Sequence, residues 1–234
     1  AILTLIFALS KNLVVQDRLT RAGRWRGDLP RSGVDLPGRV LGSVGCGNIA
    51  RELFRIVRGL GFGRLIACDP CVSQGDVRDL GIEITDMETV FRQSDYVTVN
   101  TFLSAATRGL IREEHLRLMK PSAFFINTAR GPIVREADLV RALRENWIRG
   151  AGLDVFEQEP PQPDNPLLAM DNVILAPHGL AWTEELMRDN GVEACRNILA
   201  VARGELPDAI VNREVLERPG FRRKLERFRN DHAE

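Results

Sequence analysis

Short apolar runs alternate along the chain with stretches of helical spacing. The runs are "RVLGSVG" (39–45), "RLIACD" (64–69), "IEIT" (82–85), "YVTVN" (96–100), "AFFIN" (123–127), "GAGLDV" (150–155) and "NVILAP" (172–177). Runs that do not alternate polar with apolar read as strands covered on both faces, and their alternation with helices predicts an α/β fold with a parallel sheet. Between them, "TDMETVFRQ" offers Thr85 as a helix cap with Glu88 three residues on, and "REEHLRLMKP" is stopped by Pro121. "EADLVRALRENW" places acidic residues in a first turn, and a last long helix should run from about Thr183 to Arg203 and stop at Gly204. The closing "FRRKLERFRNDHAE" is a charged tail, read as a solvated or partly disordered helix without a function of its own.

At the other end, "AILTLIFALSKNLVV" could be the core of a signal peptide, but no methionine or basic leader precedes it. Its apolar run is too short to cross a bilayer before Lys11. Ile2, Leu5, Ile6 and Leu9 instead fall at helical spacing, which predicts a buried amphipathic helix and a sequence that begins inside a protein. A polar connection rich in Gly and Pro, "RAGRWRGDLPRSGVDLPG", leads from it to the first strand.

Composition narrows the functional classes. Thirty-two basic side chains balance thirty-two acidic ones, so the electrostatic footprint of a nucleic-acid binder is absent, and no membrane association is expected. Four cysteines form no disulfide framework, which points to reduced thiols and a cytoplasmic setting, with an upstream targeting segment left open. Cys68 and Cys71 form a C-x-x-C without a second pair at metal spacing. They read as small apolar fillers, and no metal site is expected.

The strand "RVLGSVG" runs directly into "GCGNIA". Gly45 and Gly47 supply the first two glycines of G-x-G-x-x-G, with Cys46 between them, and Ala50 takes the third place. The first glycine allows the tight turn, the second lets backbone approach a pyrophosphate, and the next helix directs its free amides at that anion. Asp69, nineteen positions beyond Ala50, is placed to accept from an adenosine ribose and to repel a 2′-phosphate. The set predicts a Rossmann-type dinucleotide site that prefers NAD to NADP. Asp69 read alone is only a turn starter before Pro70.

If NAD is bound, the protein must add a cation for an anionic carbonyl substrate and a proton donor for the developing alkoxide. Arg130 after "AFFINTA", Glu159 after "GAGLDVFEQ" and His178 after "NVILAP" all fall just beyond strand ends. His178 is one of three histidines, with His115 and His232, and by itself it reads as an ordinary hydrogen-bonded residue. "INTARGPIVREADLVRAL", "GAGLDVFEQEP" and "NPLLAMDNVILAPH", behind "LGSVGCGNIA", resemble the D-isomer-specific 2-hydroxyacid dehydrogenases from Ala1 to about Val215.

The resemblance implies a catalytic Arg, Glu and His at Arg130, Glu159 and His178. It also implies cofactor contacts at Asn48, Ile49, Asp69, Thr101, Thr128, Ala129 and Asp154. Chemistry agrees with the first three. A guanidinium fork grips a 2-oxo carboxylate through two parallel hydrogen bonds, His178 passes the proton, and Glu159 orients the imidazole and favours its charged form.

"VNTF" departs from the family's pattern by carrying Asn100 and Phe102 in place of His and Pro. The resemblance further implies that most of a substrate-binding lobe, about one hundred residues, is missing upstream. On this reading residues 1–181 form the dinucleotide-binding domain with an interdomain helix, and 182–234 return toward the missing lobe. The expected activity is hydride transfer between NAD and a small D-2-hydroxy or 2-oxo acid, in a homodimer. The alternatives are a non-catalytic NAD(H)-sensing protein of corepressor type and an inactive truncated fragment.

Overall fold

The computed structural model describes residues 1–231. They divide into two compact units, Ala1–Leu180 and Ala181–Glu234. In the first, seven strands form one sheet in the order β3-β2-β1-β4-β5-β6-β7. They are β1 (Val40–Val44), β2 (Arg64–Cys68), β3 (Ile82–Ile84), β4 (Tyr96–Val99), β5 (Phe124–Asn127), β6 (Gly150–Leu153) and β7 (Val173–Leu175). Every pairing is parallel, and each strand coincides with one of the seven apolar runs.

The runs of the central strands β4, β5 and β6 are buried along their whole length because both faces are covered. Successive residues of a strand point to opposite faces, so Phe124 and Ile126 pack with Leu5, Ile6, Leu41 and Phe54 on one side. Phe125 joins Val97, Phe91, Leu139 and Leu143 on the other. The first layer is built by α1 (Ile2–Ser10) and α3 (Asn48–Val57), the second by α4 (Met87–Gln93), α5 (Glu113–Leu116) and α6 (Glu136–Arg144). Leu5 and Ile6 of α1 are at most 1% exposed, and burial of side chains of this size contributes about 1.5–3 kcal/mol each. The strand order reverses between β1 and β4, which opens a crevice beyond their carboxyl ends.

Two local expectations are corrected. The cap of α4 is Asp86, whose carboxylate accepts from the Thr89 amide at 2.8 Å. Thr85 still belongs to the sheet edge, its amide donating to the Ala67 carbonyl at 2.9 Å. α5 ends at Leu116, well before Pro121, because the Leu118 and Met119 amides tighten onto His115 and Leu116 and so bring Leu116 and Met119 together into the core. The first helix follows the expected spacing, with Ile2, Leu5, Ile6 and Leu9 buried, and ends at Ser10. Asn12 adopts φ 52°, the left-handed region that Asn tolerates, and starts α2 (Leu13–Arg21), which buries no residue.

In the second unit, α7 (Glu184–Ala202) is capped by Thr183, which accepts from the Leu186 amide at 3.1 Å. It ends at Arg203 with Gly204 at φ 71°. The tail forms α8 (Pro219–Asp231), where Leu225 is buried and Arg229 donates to the Gly204 carbonyl at 2.9 Å. His232 lies outside the described residues. Among the described residues no helix is long and apolar enough to cross a membrane.

Candidate active site

All the strands run the same way, so the segments that follow them share one edge of the sheet. Beyond β1 lies the glycine turn. Gly45 has φ 96°, and a Cβ there would stand 2.7 Å from the Asn100 backbone, which is why the tight turn beside β4 requires glycine. A Cβ on Gly47 would meet nothing within 4 Å, so the missing side chain leaves open space directly before the amino end of α3. No side chain caps that helix, and its first amides remain free for an anion.

Asp69, beyond β2, ties the turn down. One carboxylate oxygen accepts from the Cys46 amide at 2.8 Å and the other from the Cys71 amide at 2.9 Å. The turn-starting role and the place expected for ribose recognition therefore coincide, since a carboxylate keeps spare lone pairs after two bonds. Cys46 is fully buried and faces the core with its side chain, so only its backbone belongs to the turn. Asn48 and Ile49 are exposed at the start of α3, and Thr101 is half-buried beyond β4. All four cysteines are free, and burial pushes the Cys68 thiol up to about 11. No group of His, Cys, Asp and Glu suited to a metal occurs among the described residues.

The departure at Asn100 has a structural use. Its side-chain amide donates to the Ser43 and Thr98 hydroxyls, each at 2.9 Å, and braces the ends of β1 and β4 where the strand order reverses. Phe102 is 75% exposed beyond it.

Beyond β5, β6 and β7 lie Arg130, Glu159 and His178. His178 Nδ1 stands 2.7 Å from Glu159 Oε2, and Glu159 Oε1 accepts from the Phe156 amide at 3.0 Å. Both carboxylate oxygens are thus engaged and the acid is held in one orientation. Nε2 of His178 has no hydrogen-bond partner among the described residues. Burial alone raises the Glu159 carboxyl. The hydrogen bonds from His178 and Phe156, with the charges of His178 and Arg130, outweigh it and hold the group below the usual glutamate range. The charge of Arg130 thus reaches Glu159. Its guanidinium is exposed, donates to the Ala129 carbonyl at 2.6 Å and has no ion-pair partner among the described residues.

Three supports were not legible as such. Asn127, 2% exposed, donates to the Arg130 carbonyl at 3.1 Å and accepts from the Ala129 amide at 3.0 Å, which clamps the half-buried Thr128–Ala129 turn. Gly131 lets the β5 and β6 loops meet, since a Cβ there would stand 1.8 Å from the Phe156 carbonyl oxygen. Asp154 is 4% exposed, and its Oδ1 accepts from the Gly179 and Leu180 amides at 3.0 and 3.3 Å. His178 has φ 53°, a left-handed conformation that costs a histidine strain, and these two bonds hold it there.

Residues 3–179 match the family described as D-isomer specific 2-hydroxyacid dehydrogenase, NAD binding domain. The chain belongs to that family. It is 39% identical over 222 residues to a glyoxylate reductase of Korarchaeum cryptofilum, covering 93% of this chain and 67% of the relative. Among solved structures, a glyoxylate reductase from Paecilomyes thermophila superposes with a TM-score of 0.79 at 32% identity, covering 88% of this chain and 62% of that one. The NAD-complexed D-isomer specific 2-hydroxyacid dehydrogenase of Lactobacillus delbrueckii gives 0.77 at 27% identity, covering 90% and 67%. The chain thus spans about two thirds of the length of these relatives. NAD(H) is the cofactor of this domain, and the open glycine turn, the uncapped helix and Asp69 fit it.

Proposed function

We propose that the chain forms the cofactor-binding and catalytic part of an oxidoreductase interconverting a small D-2-hydroxy acid and its 2-oxo acid. The observation that carries this reading is the 2.7 Å contact between His178 Nδ1 and Glu159 Oε2 beside Arg130, on the edge that holds the glycine turn. Bound in that turn, NADH supplies the hydride. The Gly47 backbone and the first amides of α3 receive the pyrophosphate, and Asp69 receives the adenosine ribose and selects NAD over NADP. Arg130 holds the substrate carboxylate through two parallel bonds. Protonated His178 donates through Nδ1 to Glu159 and through Nε2 to the substrate oxygen, then takes that proton back in the reverse direction. Glu159 stays ionised and keeps the ring in place. Such a positioned acid contributes about 10²- to 10⁴-fold in rate.

The same reading includes a homodimer formed through the cofactor domain, checked by light scattering, and a reducing cytoplasmic setting, which the four free cysteines support. The test of function is NADH oxidation by the full-length gene product with glyoxylate, hydroxypyruvate and bulkier 2-oxo acids. Turnover of at least one is expected. Tight NADH binding with no turnover of any of them would sink the proposal.

A further inference from the structure

On the edge that holds the glycine turn, one exposed side chain has no part in the chemistry above. β1 lies between β2 and β4 in the sheet, and its chain turns aside at Gly45 to enter α3. The segments that follow β2 and β4 therefore flank the turn, two strand spacings or about 10 Å apart. The first carries the ribose acceptor Asp69 and the exposed Pro70, the second Asn100, Thr101 and Phe102. Gly45 lies directly against the Asn100–Thr101 backbone, so Phe102 stands one residue beyond a contact with the turn itself.

Phe102 is 75% exposed and makes no contact with another ring among the described residues, yet its backbone is fixed. Its carbonyl accepts from the Thr107 hydroxyl at 2.6 Å, and that hydroxyl accepts from the Ser104 amide at 2.8 Å. Leu103 and Leu110 pack against the core and anchor the segment. A single exposed phenylalanine is ordinary on a protein surface. This one stands on a pinned segment beside a dinucleotide turn, at a position where the chain departs from the family's pattern, and it offers a flat apolar face there. NAD carries a purine beyond the ribose that Asp69 receives. A purine needs no hydrogen bonds to be held by an aromatic ring, because its own π-face suffices.

We propose that Phe102 is the stacking platform for the adenine ring of NAD(H). The assignment rests on the cofactor seat proposed above, with the pyrophosphate at Gly47 and the ribose at Asp69. Fluorescence titration of the full-length gene product with NADH, and calorimetry with ADP-ribose and inorganic pyrophosphate, test it. Phe102→Ala should weaken NADH and ADP-ribose by the same factor, about tenfold, and leave pyrophosphate, which carries no base, unaffected. Phe102→Trp keeps a flat face and should bind NADH at least as tightly as the wild type. Phe102→Leu keeps the apolar bulk without the face and should not recover the loss. The melting temperature should stay the same in all three variants, because the side chain is exposed. Undiminished ADP-ribose affinity in Phe102→Ala overturns the proposal, and so does full affinity in Phe102→Leu. An equal loss of pyrophosphate affinity overturns it as well, because the segment rather than the ring would then be at fault. A wild type that binds neither NADH nor ADP-ribose would overturn the cofactor seat itself, and the platform with it.

Discussion

The glycine turn and the cluster of Arg130, Glu159 and His178 share one edge of one sheet and are built in contrary ways. The turn presents backbone: a missing side chain at Gly47, the free amides of α3, and one carboxylate from the neighbouring strand. The cluster presents side chains from three separate strand ends, each held by a further residue. A polyphosphate offers many equivalent oxygens, so a cradle of amides suffices for it. A proton must pass between two particular atoms, and that requires a side chain with a fixed orientation.

The widest break between the two regions should come from His178→Gln. Turnover of the full-length gene product is expected to fall by about 10²- to 10⁴-fold, with NADH affinity, read by fluorescence titration, nearly unchanged. Equal turnover in the variant would show that His178 is not the acid. Asp154→Ala comes next, because it leaves the Gly179 and Leu180 amides without their buried acceptor. A loss of about 1–3 kcal/mol in unfolding free energy is expected, and turnover should fall more than NADH affinity does. If NADH affinity falls first, Asp154 acts on the cofactor rather than on the histidine's turn.

The same contrast decides what could be read from the residues alone. The strands were legible because the inner ones, covered on both faces, read as unbroken apolar runs, while the edge strand β3 was short and kept Ile82 and Ile84 around the exposed Glu83. The glycine turn was legible because its parts are local, with fixed spacing from Gly45 to Asp69. The catalytic side chains stood out only through their position after strand ends and the joint resemblance of four motifs. Asn127, Gly131 and the supporting use of Asp154 were not legible as supports, since each depends on a loop that sequence places far away. Gly131, for instance, is required by Phe156, twenty-five positions on. The cap of α4 was misread by one residue because Thr85 and Asp86 are both good caps, and the sheet edge had already claimed Thr85.

A smaller effect should sharpen the contrast from the side of the turn. Asp69→Ala removes the charge that opposes a 2′-phosphate and is expected to lower the preference for NADH over NADPH by roughly tenfold. The ratio is the useful reading, because the freed Cys46 and Cys71 amides loosen a turn that both cofactors share. A wild-type preference for NADPH would remove Asp69 from ribose selection.

The smallest effect concerns the hold on His178 and shows in acid. Glu159 is ionised in the fold below the ordinary glutamate range because its bonds from His178 and Phe156 outweigh burial. A depressed carboxyl stabilises the fold fully above the unfolded value, about 4.3, and loses that contribution as pH falls through the folded one. Glu159→Gln retains an acceptor for the Phe156 amide but not the charge facing His178 and Arg130. The wild type should therefore melt slightly above the variant near neutral pH, with the gap closing as the solution is acidified below the ordinary carboxylate range. The gap should be small, since both side chains are about 40% exposed, at 43% for His178 and 37% for Glu159, and solvent screens such pairs. A gap that widens on acidification would mean that the carboxylate is strained by burial rather than stabilised by its partners, and the pair would then orient His178 at a cost to the fold.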